Sequence, residues 1–165
     1  MKNLLYFYLS ASLVVGLWAC QAKKNKTEVS DEIKDIKLID YDCRNCGMPS
    51  KEYPKWHTIV TTERDEEIHF CSPRCMFISF LDEKKKPDWV KEVSVVEYYE
   101  GKRIDGKKAW YVVNSDVIGP MGHDFVPFKT ADAAKDFLKE HKGKKILHFE
   151  EVTLKELKEV INTNK

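Results

Sequence analysis

The sequence predicts an α+β fold of two similar ββαβ halves, with mainly antiparallel sheets and an additional C-terminal helix. Three observations predict it. Alternating, β-branched or aromatic segments occur at residues 56–62 and 110–113. Each leads, through a second short extended segment, to a helix opened by a hydroxyl residue. Phe70-x-Ser72 stands before the first helix and Phe128-x-Thr130 before the second. Each helix is followed by another β-rich run, at residues 89–99 and 146–152. Helices laid on antiparallel sheets follow from that order.

Composition narrows the class. The chain has 165 residues, of which 42 % are hydrophobic and 12 % aromatic, too apolar for a disordered segment. Lys and Arg number 28 against 27 Asp and Glu. Near neutrality excludes a nucleic-acid binder held by bulk charge. Five cysteines are too few for a disulfide scaffold and enough for a metal site.

Residues 1–19 have the form of a signal sequence. Lys2 is followed by an apolar run at residues 4–15, shorter than the about 20 residues of a membrane span. Leu17-Trp18-Ala19-Cys20 resembles a bacterial lipobox, with Leu17 and Ala19 at the positions the peptidase reads. Cys20 then becomes the lipidated first residue of the mature chain. Residues 20–40 are polar and read as a tether. The domain proper is expected over residues 41–165, in halves of about 41–99 and 100–165.

In the first half, residues 56–62 and 68–70 form strands separated by the charged turn 63–67. Ser72 and Pro73 start a helix with Met76, Phe77, Phe80 and Leu81 on one face. Residues 84–87 end it, and a strand runs over 89–99. In the second half, residues 110–113 form a strand, 115–124 a Gly/Pro-rich loop, and 125–128 a short extended segment. Thr130 caps a helix over 131–141 with Ala134, Phe137 and Leu138 on one face, stopped by Gly143. A closing strand at 146–152 precedes a helix over 154–161, capped by Thr153.

Three clusters carry chemistry. Cys43-Arg44-Asn45-Cys46-Gly47-Met48 places two thiols at a spacing that suits one metal ion or a disulfide. Redox C-x-x-C pairs sit at a helix start, whereas Gly47 and Pro49 here favour a tight metal-binding knuckle. Cys71-Ser72-Pro73-Arg74-Cys75 places a second pair at a helix N-terminus, where free N–H groups stabilise a thiolate. A knuckle, 24 residues, and a thiol-bearing helix start have the layout of a treble-clef zinc site. The third cluster is Gly119-Pro120-Met121-Gly122-His123. Its thioether, like that of Met48, is a soft ligand suited to Cu(I), or else a filler of packing gaps. His57, His69, His141 and His148 are read as structural. No Ser/His/Asp set, phosphate loop or carboxylate pair supports hydrolase or kinase chemistry.

These features together resemble one family. A lipobox, Cys46-Gly47-Met48, Ala109-Trp110-Tyr111-Val112, Met121-Gly122 followed by Pro127-Phe128, an Ala-containing helix and a closing strand are similar to the NosL family over about residues 41–152. The resemblance implies a lipid-anchored protein that binds Cu(I) and delivers it to nitrous oxide reductase, or to another copper acceptor. It also implies two related ββαβ halves, like those of organomercurial lyase. Carried over by position, Cys46, Met48 and Met121 are the Cu(I) ligands, with His123 a fourth candidate. The pair Cys71 and Cys75 departs from the family pattern. With Cys43 and Cys46 it could instead close a four-cysteine Zn²⁺ site.

The expected function is therefore a membrane-anchored Cu(I) carrier of the cell envelope, facing the periplasm, and not an enzyme. The alternative is a zinc-stabilised interaction module of the envelope. A thiol oxidoreductase or metal–carbon lyase has less support.

Overall fold

Alternation of buried and half-buried residues along Thr58–Thr62 makes this segment, β1, the centre of the first sheet. The computed structural model describes residues 41–163. The signal sequence, Cys20 and the tether expected over residues 1–40 lie outside the described residues. β1 pairs antiparallel with β2 (Glu67–Phe70) through Thr58↔Phe70 to Thr61↔Glu67. On its other edge it pairs antiparallel with β3 (Val90–Val96), with a bulge at Thr61 and Thr62. Helix α1 (Pro73–Leu81) connects β2 to β3.

The second half repeats this topology. Its central strand is β5 (Trp110–Gly119), flanked by β6 (Gly122–Phe128) and β7 (Lys145–His148), both antiparallel to it. Helix α2 (Ala131–Glu140) connects β6 to β7. The sheet orders β2-β1-β3 and β6-β5-β7 are thus the same ββαβ arrangement drawn twice, and α3 (Leu154–Asn162) closes the chain. The α+β architecture read from the sequence holds.

Four local expectations are corrected. Residues 115–124 are no loop: β5 runs through to Gly119, turns over Pro120 and Met121, and returns as β6 with Ile118↔His123 paired. The register slips between Val113 and Ile118, where Asn114 takes a positive φ of 55°. The loop-like composition comes from Gly119, Pro120 and Gly122, which serve the hairpin turn. β3 stops at Val96 because residues 97–101 turn back and β4 (Arg103–Asp105) adds to its edge, so the first sheet extends to Asp105. β7 ends at His148, where Phe149–Glu151 winds into a 3-10 turn instead of continuing the strand. Finally, α2 stops through Lys142, which takes the left-handed φ of 53°, while Gly143 donates its N–H to Leu138 at 2.9 Å.

The caps at Thr130 and Thr153 form as expected, accepting from the N–H groups of Ala133 and Lys155. Helix α1 differs from the other two. Pro73 to Phe77 and Ser79 are all buried. The rings of Tyr111, Phe125 and Phe149 surround Phe77, so this helix of the first half is embedded in the second.

Candidate metal centre

The knuckle closes on itself before any metal is considered. Gly47 takes a positive φ of 75° and donates its N–H to the Cys43 carbonyl at 2.8 Å. A side chain at this position would be strained. Cys43 N–H donates to the Met48 carbonyl at 2.7 Å, and Asp42 and Pro49 form an antiparallel bridge. The Arg44 N–H reaches the His69 carbonyl at 2.9 Å and so pins the knuckle to β2. Cys71 follows β2 directly, and Cys75 sits in the first turn of α1. Two separate sequence motifs therefore meet because the antiparallel pair β1 and β2 lies between them in the chain and returns it to the knuckle.

The four thiols form one cluster, with all sulfurs within 4.8 Å of one another. Cys46 and Cys71 are 3.7 Å apart, Cys71 and Cys75 3.5 Å, and Cys46 and Cys75 3.8 Å. Tetrahedral thiolate coordination at about 2.3 Å requires sulfur separations of about 3.8 Å, so the geometry fits one metal ion. All four cysteines are free of disulfides. Cys43, Cys71 and Cys75 are buried and Cys46 is partly exposed. The Asn45 side chain donates to the Cys75 sulfur at 3.6 Å.

The thiols share their hydrogen bonds unequally. Hydrogen bonds from the Cys71 and Cys75 thiols, with the backbone N–H groups of Cys71 and Cys46, hold the Cys43 thiol far below its ordinary value. Donation to Cys43, with burial, pushes the Cys71 and Cys75 thiols up. Burial disfavours several thiolates side by side, and a bound cation would favour them.

Met48 and the hairpin residues Met121 and His123 hold different positions in the fold. Met48 belongs to the knuckle and packs, half-buried, against the same hydrophobic core. Met121 is 38 % exposed at the turn of the β5–β6 hairpin. His123 is the third residue after that turn's Pro120, opposite Ile118. Arg74 of α1 ties this hairpin to the thiol-bearing helix, donating to the carbonyls of Met121 and His123. Neither Arg74 nor Asp124, which accepts the Arg74 N–H at 2.8 Å, was marked by any local pattern. Their sequence separation of 50 residues hides the contact. Cys20 lies outside the described residues.

The remaining histidines pair with other side chains. His57 Nε2 and His69 Nδ1 hydrogen-bond at 3.0 Å, and Arg103 reaches His57 Nδ1 at 3.1 Å. His141 pairs with Asp116 at 2.9 Å, and His148 lies against Trp110. Burial, aided by the Arg103 charge, lowers the His57 imidazole from 6.5 to about 4. The unfolded chain therefore binds a proton near 6.5 that the folded chain refuses until about 4. Stability is full above this window and falls as pH is lowered through it. Thermal melts of wild type and His57→Gln at a series of pH values should diverge between these limits, with the wild type losing more. Parallel profiles would remove His57 from the acid response.

The NosL family profile matches residues 38–157. The copper-binding lipoprotein NosL of Stutzerimonas stutzeri is 30 % identical over 152 residues, which are 87 % of this chain and 77 % of that protein. The crystal structure of the copper chaperone NosL from Shewanella denitrificans aligns with a TM-score of 0.62 at 29 % identity, covering 74 % of this chain and 98 % of that one.

Proposed function

The chain belongs to the NosL family, and on that premise we propose that it is a lipid-anchored Cu(I) carrier that supplies nitrous oxide reductase during maturation of its copper centres. Family membership places it among metal carriers rather than enzymes. Its work is ligand exchange: soft donors hold Cu(I) until a partner of greater affinity takes it. The observation that carries this reading is the cluster of four thiols within 4.8 Å, closed on three sides by burial and open at Cys46. An accessible thiolate is where an incoming ligand can attack without unfolding the site. Cys46, Met48 and Met121 are assigned as the exchanging ligands. Cys43, Cys71 and Cys75 form the buried wall, and His123 is a further donor on the hairpin. Cys20 is assigned as the lipidated residue, which holds the domain at the periplasmic face of the envelope near its acceptor.

The sulfur spacing also favours a second reading. Four thiolates at tetrahedral separations are a good structural Zn²⁺ site, and a closed site would make this an interaction module. An anaerobic Cu(I) titration of the reduced full chain in detergent, against a Cu(I)-specific chelator, separates the two. Tight binding that Met121→Ala weakens about ten-fold or more supports the carrier. Copper that enters only after bound zinc is stripped, with no effect of Met121→Ala, supports the structural zinc site instead.

A further inference from the structure

The carboxyl group of Asp124 performs a task that local sequence assigns to Ser72. Ser72 occupies the N-cap of α1, yet its hydroxyl makes no cap hydrogen bond. The free N–H of Arg74, in the first turn, donates instead to Asp124 Oδ1 at 2.8 Å. The Phe125 N–H donates to the same oxygen at 2.8 Å. Arg74 returns the contact, since its guanidinium donates to the carbonyls of Met121 and His123. Gly119 leaves the necessary space, because a Cβ there would lie 2.8 Å from Asp124 Oδ2. Asp124 is only 1 % exposed, and burial pushes its carboxyl up to about 7. A buried acid is an expensive way to fasten a hairpin, tolerable here because the helix end and Arg74 supply positive charge.

We infer that Asp124 and Arg74 form a clamp that fixes the tip of the β5–β6 hairpin, with Met121 and His123 on it, against the start of α1, which bears Cys75 and follows Cys71. The inference rests on the copper-carrier reading above. Asp124 lies outside the thiol group and is a positioning residue that acts through the ligands on either side. The turn at Pro120 and Met121 presents the thioether from a partly exposed tip. Without the clamp, the tip loses its anchorage on the thiol helix, and Met121 no longer arrives as part of the same site. The clamp therefore joins a ligand from the second half of the molecule to ligands from the first.

The test is a double-mutant cycle on the full chain, reduced and held in detergent, with Cu(I) affinity read against bathocuproine disulfonate. Asp124→Ala is expected to weaken Cu(I) binding about 10–100-fold, the range for residues that orient metal ligands. Met121→Ala is expected to weaken wild type at least about ten-fold, yet change the Asp124→Ala background by less than about two-fold. Copper X-ray absorption should lose the same sulfur ligand in both single variants, a readout that general loosening would not produce. Asp124→Asn keeps an oxygen acceptor for the Arg74 N–H and should restore the Met121 effect. If Asp124→Ala fails to fold by circular dichroism, Gly119→Ala displaces the carboxyl and should erase the Met121 effect in its place. Effects that multiply in the cycle overturn the clamp and leave the carrier intact. Wild-type affinity indifferent to Met121→Ala overturns it as well, by removing the hairpin from the site. Failure of the unmodified chain to bind any Cu(I) overturns the carrier reading itself, and the clamp with it.

Discussion

Cys71→Ser is expected to lower Cu(I) affinity by well over about 100-fold, more than the loss of a residue that merely supports ligands. Its sulfur lies 3.5 Å from Cys75 and 3.7 Å from Cys46, so it is a shared corner of the cluster. It is fully buried, which leaves neither water nor an external donor to replace it. Serine offers a hard oxygen that a soft monovalent ion binds poorly. Cys46→Ser should behave differently. Cys46 is partly exposed, so a chelator or solvent ligand can occupy its place. A smaller loss of affinity and a faster release of copper to the competitor are expected there. Melting the metal-free variants separates ligand loss from folding loss, because a buried serine hydroxyl alone costs about 1–3 kcal/mol. Equal, very large losses at both positions, together with slow release from the wild type, would mark a closed structural site and remove the exchange mechanism.

The parts legible in the sequence were those governed by neighbours along the chain. Thr130 and Thr153 cap helices through bonds spanning two or three residues, so their pattern suffices. Gly47 could be read as a knuckle residue because its positive φ is a local demand. The two cysteine pairs carried their own spacing, although their meeting depends on the β1–β2 pair lying between them. The longer-range features were hidden. β4 is three residues long and forms only because β3 offers an edge. The β5–β6 hairpin looked like a loop because its glycines and proline suit turns. Pairing such as Ile118↔His123 decides otherwise. The Arg74–Asp124 contact spans the two halves, and its local sequence pointed to Ser72. Propensity could not show that an acid from another strand had taken over the cap.

The embedding of α1 in the second half leads to the largest expected loss of stability. Phe77 is 2 % exposed, with the rings of Tyr111, Phe125 and Phe149 at 5.3, 4.7 and 5.3 Å. All three partners come from the second half, so this one side chain joins the halves through aromatic packing. Phe77→Ala removes that ring and leaves a cavity that rigid strands cannot close, at a cost of about 3–5 kcal/mol. Against a total stability of about 5–15 kcal/mol this is a large fraction, visible as a lower urea midpoint. The metal site should feel it, because Cys75 lies two residues earlier on the same helix. Phe137→Ala is the matched control. Phe137 is equally buried, against Tyr98, Phe128 and His141, on a helix that bears none of the thiols. Both variants should lose similar stability, and only Phe77→Ala should also weaken Cu(I) binding when both are assayed where they remain folded. Equal affinities in the two variants would mean that α1 holds its thiols without help from the second half. The joined core would then serve folding alone.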